Sequence, residues 1–290
     1  MGERCTYVLS VDVEDYFQVE AFSKVVPRSE WDQWPSRVVA NTHRILDLFD
    51  EFAVKGTFFT LGWVAAKFPA LVREIHARGH ELASHSYWHR PVYQLTPEAF
   101  RQDLRQASDA IGQASGVRVV GYRAPSWSIT ARSLWALDIL AEEGYLYDSS
   151  IFPIRHDLYG IPGAKRFPHR VPAGGGELAE YPPATVSIFG NTLPAAGGGY
   201  LRILPLTYNQ WALRRLERES GSDGVAVVYL HPWEIDPEQP RIAAQLKSRI
   251  RHYTNLRLME PRLRTLLRTH RFQPFRAVTP AVRAAAASPE

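Results

Sequence analysis

Two histidines lie four residues apart in the segment GHELASHSYWHRP, residues 79–91. His85 and His89 follow a short apolar run, and Ser86 comes directly after the first of them. Imidazole is the commonest side-chain ligand of transition metals in proteins, so the pair is a candidate metal site. Polar loop residues are more often simply solvated, however, and the assignment therefore depends on what the rest of the chain places beside them.

Ionisable residues also follow four other segments whose apolar and β-branched composition predicts strands. These residues are Asp12 near the end of TYVLSVDV with Glu14 and Asp15 directly after it, Arg123 after VRVVGY, Asp148 at the end of YLYD, and His231 after VAVVYL. The carboxyl ends of parallel strands meet on one face of a sheet or barrel, where active sites of such folds lie. We therefore expect the five strand ends to converge on one pocket.

Helical periodicity between the predicted strands supports this arrangement. Helices are predicted over 38–52, 69–78, 96–116 and 130–144, with Thr96 and Thr130 at the starts of the last two, and another near 207–219. Alternating strands and helices with short connections predict an α/β fold with a parallel sheet, open or closed as a barrel. We expect one domain over 1–280, with a flexible tail at 281–290.

The regular alternation stops after Ser150. Residues 151–206 are rich in Pro and Gly and predict an insertion of loops and short strands, which we expect to lie over the site. No run approaches the roughly 20 apolar residues of a membrane span, and the first residues lack a secretory signal. A single cysteine, Cys5, is compatible with a reducing compartment, so a cytoplasmic location is expected.

Positive charge is concentrated near the C-terminus. Residues 241–276 contain ten basic residues and one acid, and two basic amphipathic helices are predicted over about 241–270. We expect a solvated basic face, with Ile242, Leu246 and Ile250 turned to the core. The alternative is peripheral contact with an anionic polymer or membrane surface. No nucleic-acid-binding motif accompanies the charge, so nucleic acid is not expected as a partner.

The residue types at the strand ends fit hydrolysis of an amide assisted by a metal. Two imidazoles and one carboxylate are a common ligand set for a catalytic divalent metal; they favour Zn²⁺, while Co²⁺, Ni²⁺ or Mn²⁺ could occupy the same set. Such a metal lowers the pKa of a water molecule bound to it to about 7. A base for the water and an acid for the leaving amine are also needed, and Asp12 and His231 are available for these roles.

In their order, spacing and strand context, the five segments resemble the polysaccharide deacetylases of carbohydrate esterase family 4, the NodB homology domain. The resemblance covers roughly residues 6–150 and resumes at 225–240, and it implies a distorted (β/α) barrel. The insertion and the segment LHPWEIDPEQPR further resemble the subgroup associated with bacterial exopolysaccharide biosynthesis loci. The expected substrate is accordingly an N-acetylated poly- or oligosaccharide, from which N-acetyl groups of N-acetylhexosamine residues are removed.

The resemblance also implies roles for individual residues. It implies that His85 and His89 bind the metal, that Asp12 is the base held by Arg123, and that His231 is the acid oriented by Asp148. It further implies that Trp127 walls the substrate pocket, with Pro125 beside it, and Tyr200 of the insertion is a candidate substrate contact.

The first motif departs from the common form of two adjacent aspartates. Here the order is Asp12, Val13, Glu14, Asp15. Positions 12 and 14 of a strand face the same side, so we expect Glu14 to be the third ligand, with Asp15 as the alternative. Two other functions stay open: a metal amidohydrolase acting on a small amide or ureide, and a sugar-binding protein with a decayed site.

Overall fold

The computed structural model describes residues 5–221, 224–280 and 282. Within them, one nine-stranded sheet has the order β10-β1-β2-β3-β4-β5-β7-β6, with β11 pairing beside β1. The strands of this sheet are β1 (Thr6–Val13), β2 (Thr57–Thr60), β3 (Glu81–Ser84), β4 (Gly121–Tyr122), β5 (Tyr147–Asp148), β6 (His169–Ala173), β7 (Gly176–Glu180), β10 (Val225–Leu230) and β11 (Phe272–Gln273). A separate hairpin pairs β8 (Thr185–Ile188) with β9 (Asn191–Pro194).

The sheet curls towards closure after β7. All neighbours from β10 to β7 are parallel, and β6 alone runs antiparallel at the edge. Beyond β7, Pro183 forms a bridge to Val227 of β10, and the amide of Ala184 donates to the Val227 carbonyl. The insertion therefore supplies the segment that links the two ends of the curled sheet, as expected for a distorted barrel.

The helices are amphipathic and pack around the sheet. They are α1 (Val38–Glu51), α2 (Gly62–Lys67), α3 (Pro69–Ala77), α4 (Pro97–Ser115), α5 (Trp135–Glu142), α6 (Gly198–Ile203), α7 (Leu206–Ser220), α8 (Leu246–Tyr253) and α9 (Leu256–Thr269). Strand β1 lies between β10 and β2, and its residues Val8, Leu9, Val11 and Val13 are fully buried. Each such side chain contributes about 1.5–3 kcal/mol through removal from water, which fixes the strand whose end carries Asp12 and Glu14.

The predicted α/β barrel is confirmed, with differences at element ends. The helix expected from Thr130 begins only at Trp135, because Ser133 accepts from the Thr130 amide and donates to the Ser128 carbonyl, which closes a turn first. The VRVVGY strand shortens to β4, and α2 was not predicted. The expected tail at 281–290 lies outside the described residues apart from residue 282.

The two basic C-terminal helices, α8 and α9, form as predicted, but α8 exposes apolar side chains that were expected to be buried. Ile242 is buried as predicted, whereas Leu246 is 69% exposed and Ile250 is 55% exposed. The prediction that both turn to the core is wrong, because α8 instead buries His252. Among the described residues, no helix is both long enough and apolar enough to cross a bilayer.

Candidate active site

A histidine pair and a glutamate meet at the carboxyl ends of β1 and β3. One ligand atom from each of Glu14, His85 and His89 lies within 4.8 Å of the other two, and all three residues are buried. The Oε2 atom of Glu14 is 2.7 Å from Nε2 of His89, and the two imidazole centroids are 5.3 Å apart. Two nitrogens and one carboxylate thus point into one small volume.

The hydrogen bonding of this group fits a bound cation. Nδ1 of His85 donates to the Arg123 carbonyl at 2.8 Å, so the lone pair of His85 Nε2 is available to a metal. Glu14 Oε2 is buried beside His89 Nε2 in a geometry that does not count as a hydrogen bond, and it has no other partner among the described residues. A buried carboxylate oxygen without a hydrogen bond is costly. Burial would raise the pKa of Glu14, but His89, His231 and His85 outweigh it and lower the pKa to about 2.

Burial lowers the pKa of His85 to about 4. Its imidazole is therefore neutral at neutral pH, which is the protonation state that a metal ligand needs. Together with an ionised Glu14, the site offers the deprotonated donor set expected for Zn²⁺ or a similar divalent cation.

The carboxylate of Asp15 points away from the two histidines and towards the start of α1. Its carboxylate accepts hydrogen bonds from the hydroxyl of Ser36 and from the backbone amides of Arg37 and Val38. The latter two amides lie at the start of α1, where no intrahelical acceptor exists. The structure therefore brings Glu14 to the histidines and uses Asp15 to secure the N-terminus of α1.

The loop that carries the histidines is held in an uncommon backbone conformation. Ser86 and His89 have φ values of 71° and 50°, in the left-handed region that side chains other than glycine rarely adopt. The carboxylate of Asp103, from α4, accepts from the Ser86 hydroxyl and the Tyr87 amide, while Arg28 donates to the carbonyl of His89. These hydrogen bonds hold the loop in this conformation and so position both imidazoles.

Arg123, to which the resemblance gives the role of holding Asp12, is in direct contact with that carboxylate. The guanidinium is fully buried. Its Nη1 donates to Asp12 Oδ1 at 2.6 Å and to the hydroxyl of Ser10 at 2.8 Å. Its other nitrogens donate to the carbonyl and hydroxyl of Ser149. Four of the five N–H donors of Arg123 are therefore engaged, so Asp12 has one carboxylate oxygen fixed and the other directed towards the site.

His231 approaches the same volume from the end of β10. Its Nε2 lies 3.8 Å from Asp12 Oδ2 and 3.7 Å from Glu14 Oε1, and its side chain is 18% exposed, against 2–4% for Asp12, Glu14 and His89. His231 is therefore the group of this set that is most open to solvent. Asp12 and His231 face one another across the volume next to the ligand atoms.

The partner of His231 is Glu234, and the expectation that Asp148 orients this ring is wrong. Nδ1 of His231 pairs with Glu234 Oε2 at 3.1 Å, and the same oxygen accepts from the His231 amide. Arg202, from α6, donates to Glu234 Oε1 at 2.6 Å. Burial would lower the pKa of His231, but Glu234, Glu14 and Asp12 raise it to about 9.

Asp148 instead pairs with Glu180 across β5 and β7. The two residues are register partners, and each keeps one carboxylate oxygen without another partner among the described residues. Burial raises the pKa of Asp148 to about 6 and that of Glu180 well above its ordinary range, so the pair shares a proton. The hydroxyl of Ser150 links Asp148 to the amide of Ala124, next to Arg123.

An aromatic wall stands beside Arg123. Pro125 begins a short 3-10 turn in which Trp127 has a φ of 55°, and the Arg123 guanidinium lies 4.8 Å from the Trp127 ring centroid. Trp127 packs edge-on against Tyr229 and is almost fully buried. Tyr200 is further back: it is half-buried, and its hydroxyl bonds that of Tyr159 at 2.8 Å.

Three supporting residues were missed from the sequence. Glu234 lies in the segment LHPWEIDPEQPR, three residues after His231, and this short spacing could have suggested it as the partner of that histidine. Asp103 interrupts the apolar face of α4, which is a signal for a buried functional acid. Trp233 donates its indole N–H to Glu14 Oε1 at 3.2 Å, a contact that nothing in the spacing indicates.

Two family models match the chain side by side. The polysaccharide deacetylase model matches residues 29–145, and a model described as a domain of unknown function (DUF3473) matches residues 149–280. The two matches are separated by residues 146–148, which include β5. The second model spans β10, and therefore includes His231 and Glu234.

Known proteins agree with the first model. A peptidoglycan-N-acetylglucosamine deacetylase of Bacillus cereus is 26% identical over 147 residues, which are 46% of this chain and 52% of that protein. The chain thus spans about half the length of this relative. The crystal structure of a protein from Mycobacterium smegmatis, assigned as a polysaccharide deacetylase, is 22% identical, with a TM-score of 0.67 over 100% of this chain and 94% of that one.

A second solved structure with the same fold is that of a protein named for a different activity. The PuuE allantoinase is 16% identical, with a TM-score of 0.61 over 98% of this chain and 91% of that one. At these identities both structures support the barrel fold alone, and the family assignment comes from the sequence matches. Over residues 29–145, the chain is similar to the polysaccharide deacetylase family.

Proposed function

We propose that the chain is a metal-dependent hydrolase that removes N-acetyl groups from N-acetylhexosamine residues of a polysaccharide, within exopolysaccharide biosynthesis. The observation that carries the proposal is the meeting of three groups in one buried volume. These are the ligand set of Glu14, His85 and His89, a carboxylate held by an arginine, and a histidine held by a glutamate. A site that only bound sugar would need neither the held base nor the held acid.

A divalent cation held by Glu14, His85 and His89 would polarise the amide carbonyl and make a water molecule acidic enough to attack it. Two imidazoles with one carboxylate favour Zn²⁺, and Co²⁺, Ni²⁺ and Mn²⁺ suit the same donors. The residues themselves supply orientation and proton transfer. Trp233 and the Arg123 carbonyl restrain Glu14 and His85, which keeps the donor atoms in place before a cation binds.

Asp12 serves as the base. Its Oδ1 is fixed by Arg123, so Oδ2 is the atom that takes a proton from the attacking water. The carbon–nitrogen bond of the amide then breaks, and the departing nitrogen requires a proton. His231 supplies that proton from Nε2, because Glu234 holds its Nδ1 and favours the imidazolium. The products are acetate and a free amino sugar.

Release of free acetate from an N-acetylated oligosaccharide tests the proposal. The wild-type protein should release acetate, a chelator should stop this, and added Zn²⁺ or Co²⁺ should restore it. Asp12→Asn should keep the metal while lowering kcat by about 10²- to 10⁴-fold, the usual contribution of a general base. Acetate release that persists in Asp12→Asn, or that ignores the chelator, would contradict the proposal.

The fold shared with an allantoinase gives the second candidate, an amidohydrolase acting on a small ureide. The same assay separates the two substrates when a ureide is offered beside the oligosaccharide. Turnover of the ureide without acetate release from the oligosaccharide would favour this candidate. Metal binding without turnover of either substrate would favour a decayed sugar-binding site.

A further inference from the structure

Helix α8 presents aliphatic side chains to solvent. Leu246 and Ile250 are one turn apart, and they are 69% and 55% exposed. His252 lies about 200° around the helix from Ile250 and is buried. A helix that packs on a core normally turns its apolar stripe inwards, so this outward stripe requires another explanation.

The inward side of α8 leads directly to the site. The ring of His252 stacks on Trp233 with centroids 4.0 Å apart, and Trp233 stacks on His231 at 5.2 Å. Arg202, which holds Glu234, donates to the carbonyl of Arg251 at 3.0 Å. Helix α8 is therefore two ring layers from His231, at the end of the barrel where the strands carry the site.

Two neighbouring loops expose aliphatic side chains beside α8. Leu158 is 53% exposed in the loop after β5, and the adjacent Asp157 pairs with Lys247 of α8 at 3.1 Å. Val25 is 44% exposed after β1, in a segment whose Phe22 ring packs on α8. We call Val25, Leu158, Leu246 and Ile250 the rim patch, because they lie on α8 or on segments that contact it.

Positive charge flanks the rim patch. Lys247, Arg249 and Arg251 are exposed on α8, which contains no acidic residue. Asp157 is the acid that pairs with Lys247 and approaches Arg251, while Arg249 has no salt bridge to any described residue. The patch thus combines aliphatic side chains that can enter an apolar layer with cations that can contact anionic headgroups.

We propose that the rim patch and the basic residues of α8 dock the site-bearing face on an anionic lipid bilayer. An interfacial helix needs both features, because apolar burial and attraction to anionic lipids act together. A soluble polyanion would use the cations alone and would gain nothing from four exposed aliphatic side chains. Docking goes beyond the proposed function, since it requires no turnover and can be measured with inactive Asp12→Asn protein.

Co-sedimentation with vesicles tests this proposal. We expect the protein to sediment with vesicles of equal parts phosphatidylglycerol and phosphatidylcholine, and not with vesicles of phosphatidylcholine alone. Leu246→Ser/Ile250→Ser should weaken the binding more than about tenfold. Lys247→Gln/Arg249→Gln should weaken it about 25-fold, since each basic residue near a bilayer contributes roughly fivefold, and should reduce the dependence on salt.

Matched controls come from elsewhere on the surface. Arg214→Gln/Arg218→Gln removes the same charge from exposed positions of α7, and Phe189→Ser removes an aromatic ring that is 99% exposed at the β8–β9 turn. Both should bind vesicles like the wild type, and all variants should keep the wild-type Tm. The proposal is overturned if the wild type does not sediment with anionic vesicles, or if the controls lose as much binding as the α8 variants. A soluble anionic polysaccharide that binds through the same α8 residues while vesicles do not would also overturn it.

Discussion

At the scale of single residues, two acids of the first motif have separated tasks. Glu14 faces His89, whereas Asp15 accepts hydrogen bonds from Ser36 and the first amides of α1. Glu14→Gln should therefore weaken metal affinity by about 10- to 100-fold or more. Asp15→Asn should leave metal affinity nearly unchanged and lower the free energy of unfolding by about 1 kcal/mol, as expected when a helix N-terminus loses part of its cap.

Metal titration of the apoproteins and thermal unfolding measure the two effects separately. His85→Ala should behave like Glu14→Gln in the titration and retain a cooperative unfolding transition, because His85 lies at a strand end. A loss of metal affinity in Asp15→Asn that matches the loss in Glu14→Gln would return the ligand role to Asp15.

The acid side of the site gives a second prediction about residues. Glu234 bonds Nδ1 of His231, and Asp148 bonds Glu180 and Ser150 instead. Glu234→Gln should lower kcat by about 10- to 100-fold with little change in KM, because the ring loses the partner that orients it. Glu234→Asp should recover part of the loss, and Asp148→Asn should have the smaller effect on kcat.

Steady-state kinetics of acetate release provide the measurement. A role for Glu234 that is merely structural would lower the amount of folded enzyme and leave kcat per folded molecule unchanged. A larger drop in kcat for Asp148→Asn than for Glu234→Gln would restore the expectation drawn from the sequence.

At the scale of elements, the pairing of β5 with β7 makes stability depend on pH. Burial raises the pKa of Asp148 to about 6 and that of Glu180 well above its ordinary range. An acid whose pKa is higher in the folded chain than in the unfolded chain contributes stability that is fully present below the unfolded pKa of about 4. This contribution is lost as the pH rises through the folded pKa. Stability from this pair should therefore fall from about pH 4 to beyond pH 6.

Glu180→Gln keeps a hydrogen-bond donor and has no charge to bury. We expect its Tm to exceed that of the wild type at about pH 8 by a few degrees, and the difference to shrink at about pH 4.5. Glu177→Gln, an exposed site on the same strand, should show no such trend. Thermal unfolding across this pH range is the measurement, and a Tm difference independent of pH would show that the pair does not share a proton.

Periodicity predicted most of the helices and strands, with α2 as an exception, but it did not predict which face of a helix turns inwards. The pattern of α8 is amphipathic, yet Leu246 and Ile250 point outwards because His252 stacks on Trp233. Asp12, His85, His89 and His231 were placed correctly at strand ends, since parallel strands put their carboxyl ends together. Glu180 could not be predicted as the partner of Asp148, because that pairing depends on the register of the inserted β7.

At the scale of the whole molecule, the central sheet crosses the boundary between the two family models. Strand β1 lies between β2 and β10, and Thr6–Val11 pairs with Val225–Leu230 over six residues. The first half of the chain therefore contains β1, and the second half contains β10, which pairs with it over six residues. The insertion adds Arg202 to the acid side of the site and Pro183 to the closure of the sheet.

We therefore predict that residues 1–150 do not fold alone. Removing β10 exposes one edge of β1 and loses the burial of Val227, Val228, Tyr229 and Leu230. At about 1.5–3 kcal/mol for each side chain, the loss is about 6–12 kcal/mol, which is comparable to the entire stability of a typical domain at about 5–15 kcal/mol. The fragment should aggregate or lack a cooperative thermal transition, whereas co-expression with residues 151–290 should yield a complex that unfolds cooperatively and binds metal. A monomeric 1–150 fragment with its own cooperative transition would show that the first half is an independent domain, and that β10 contributes His231 without being needed for the fold.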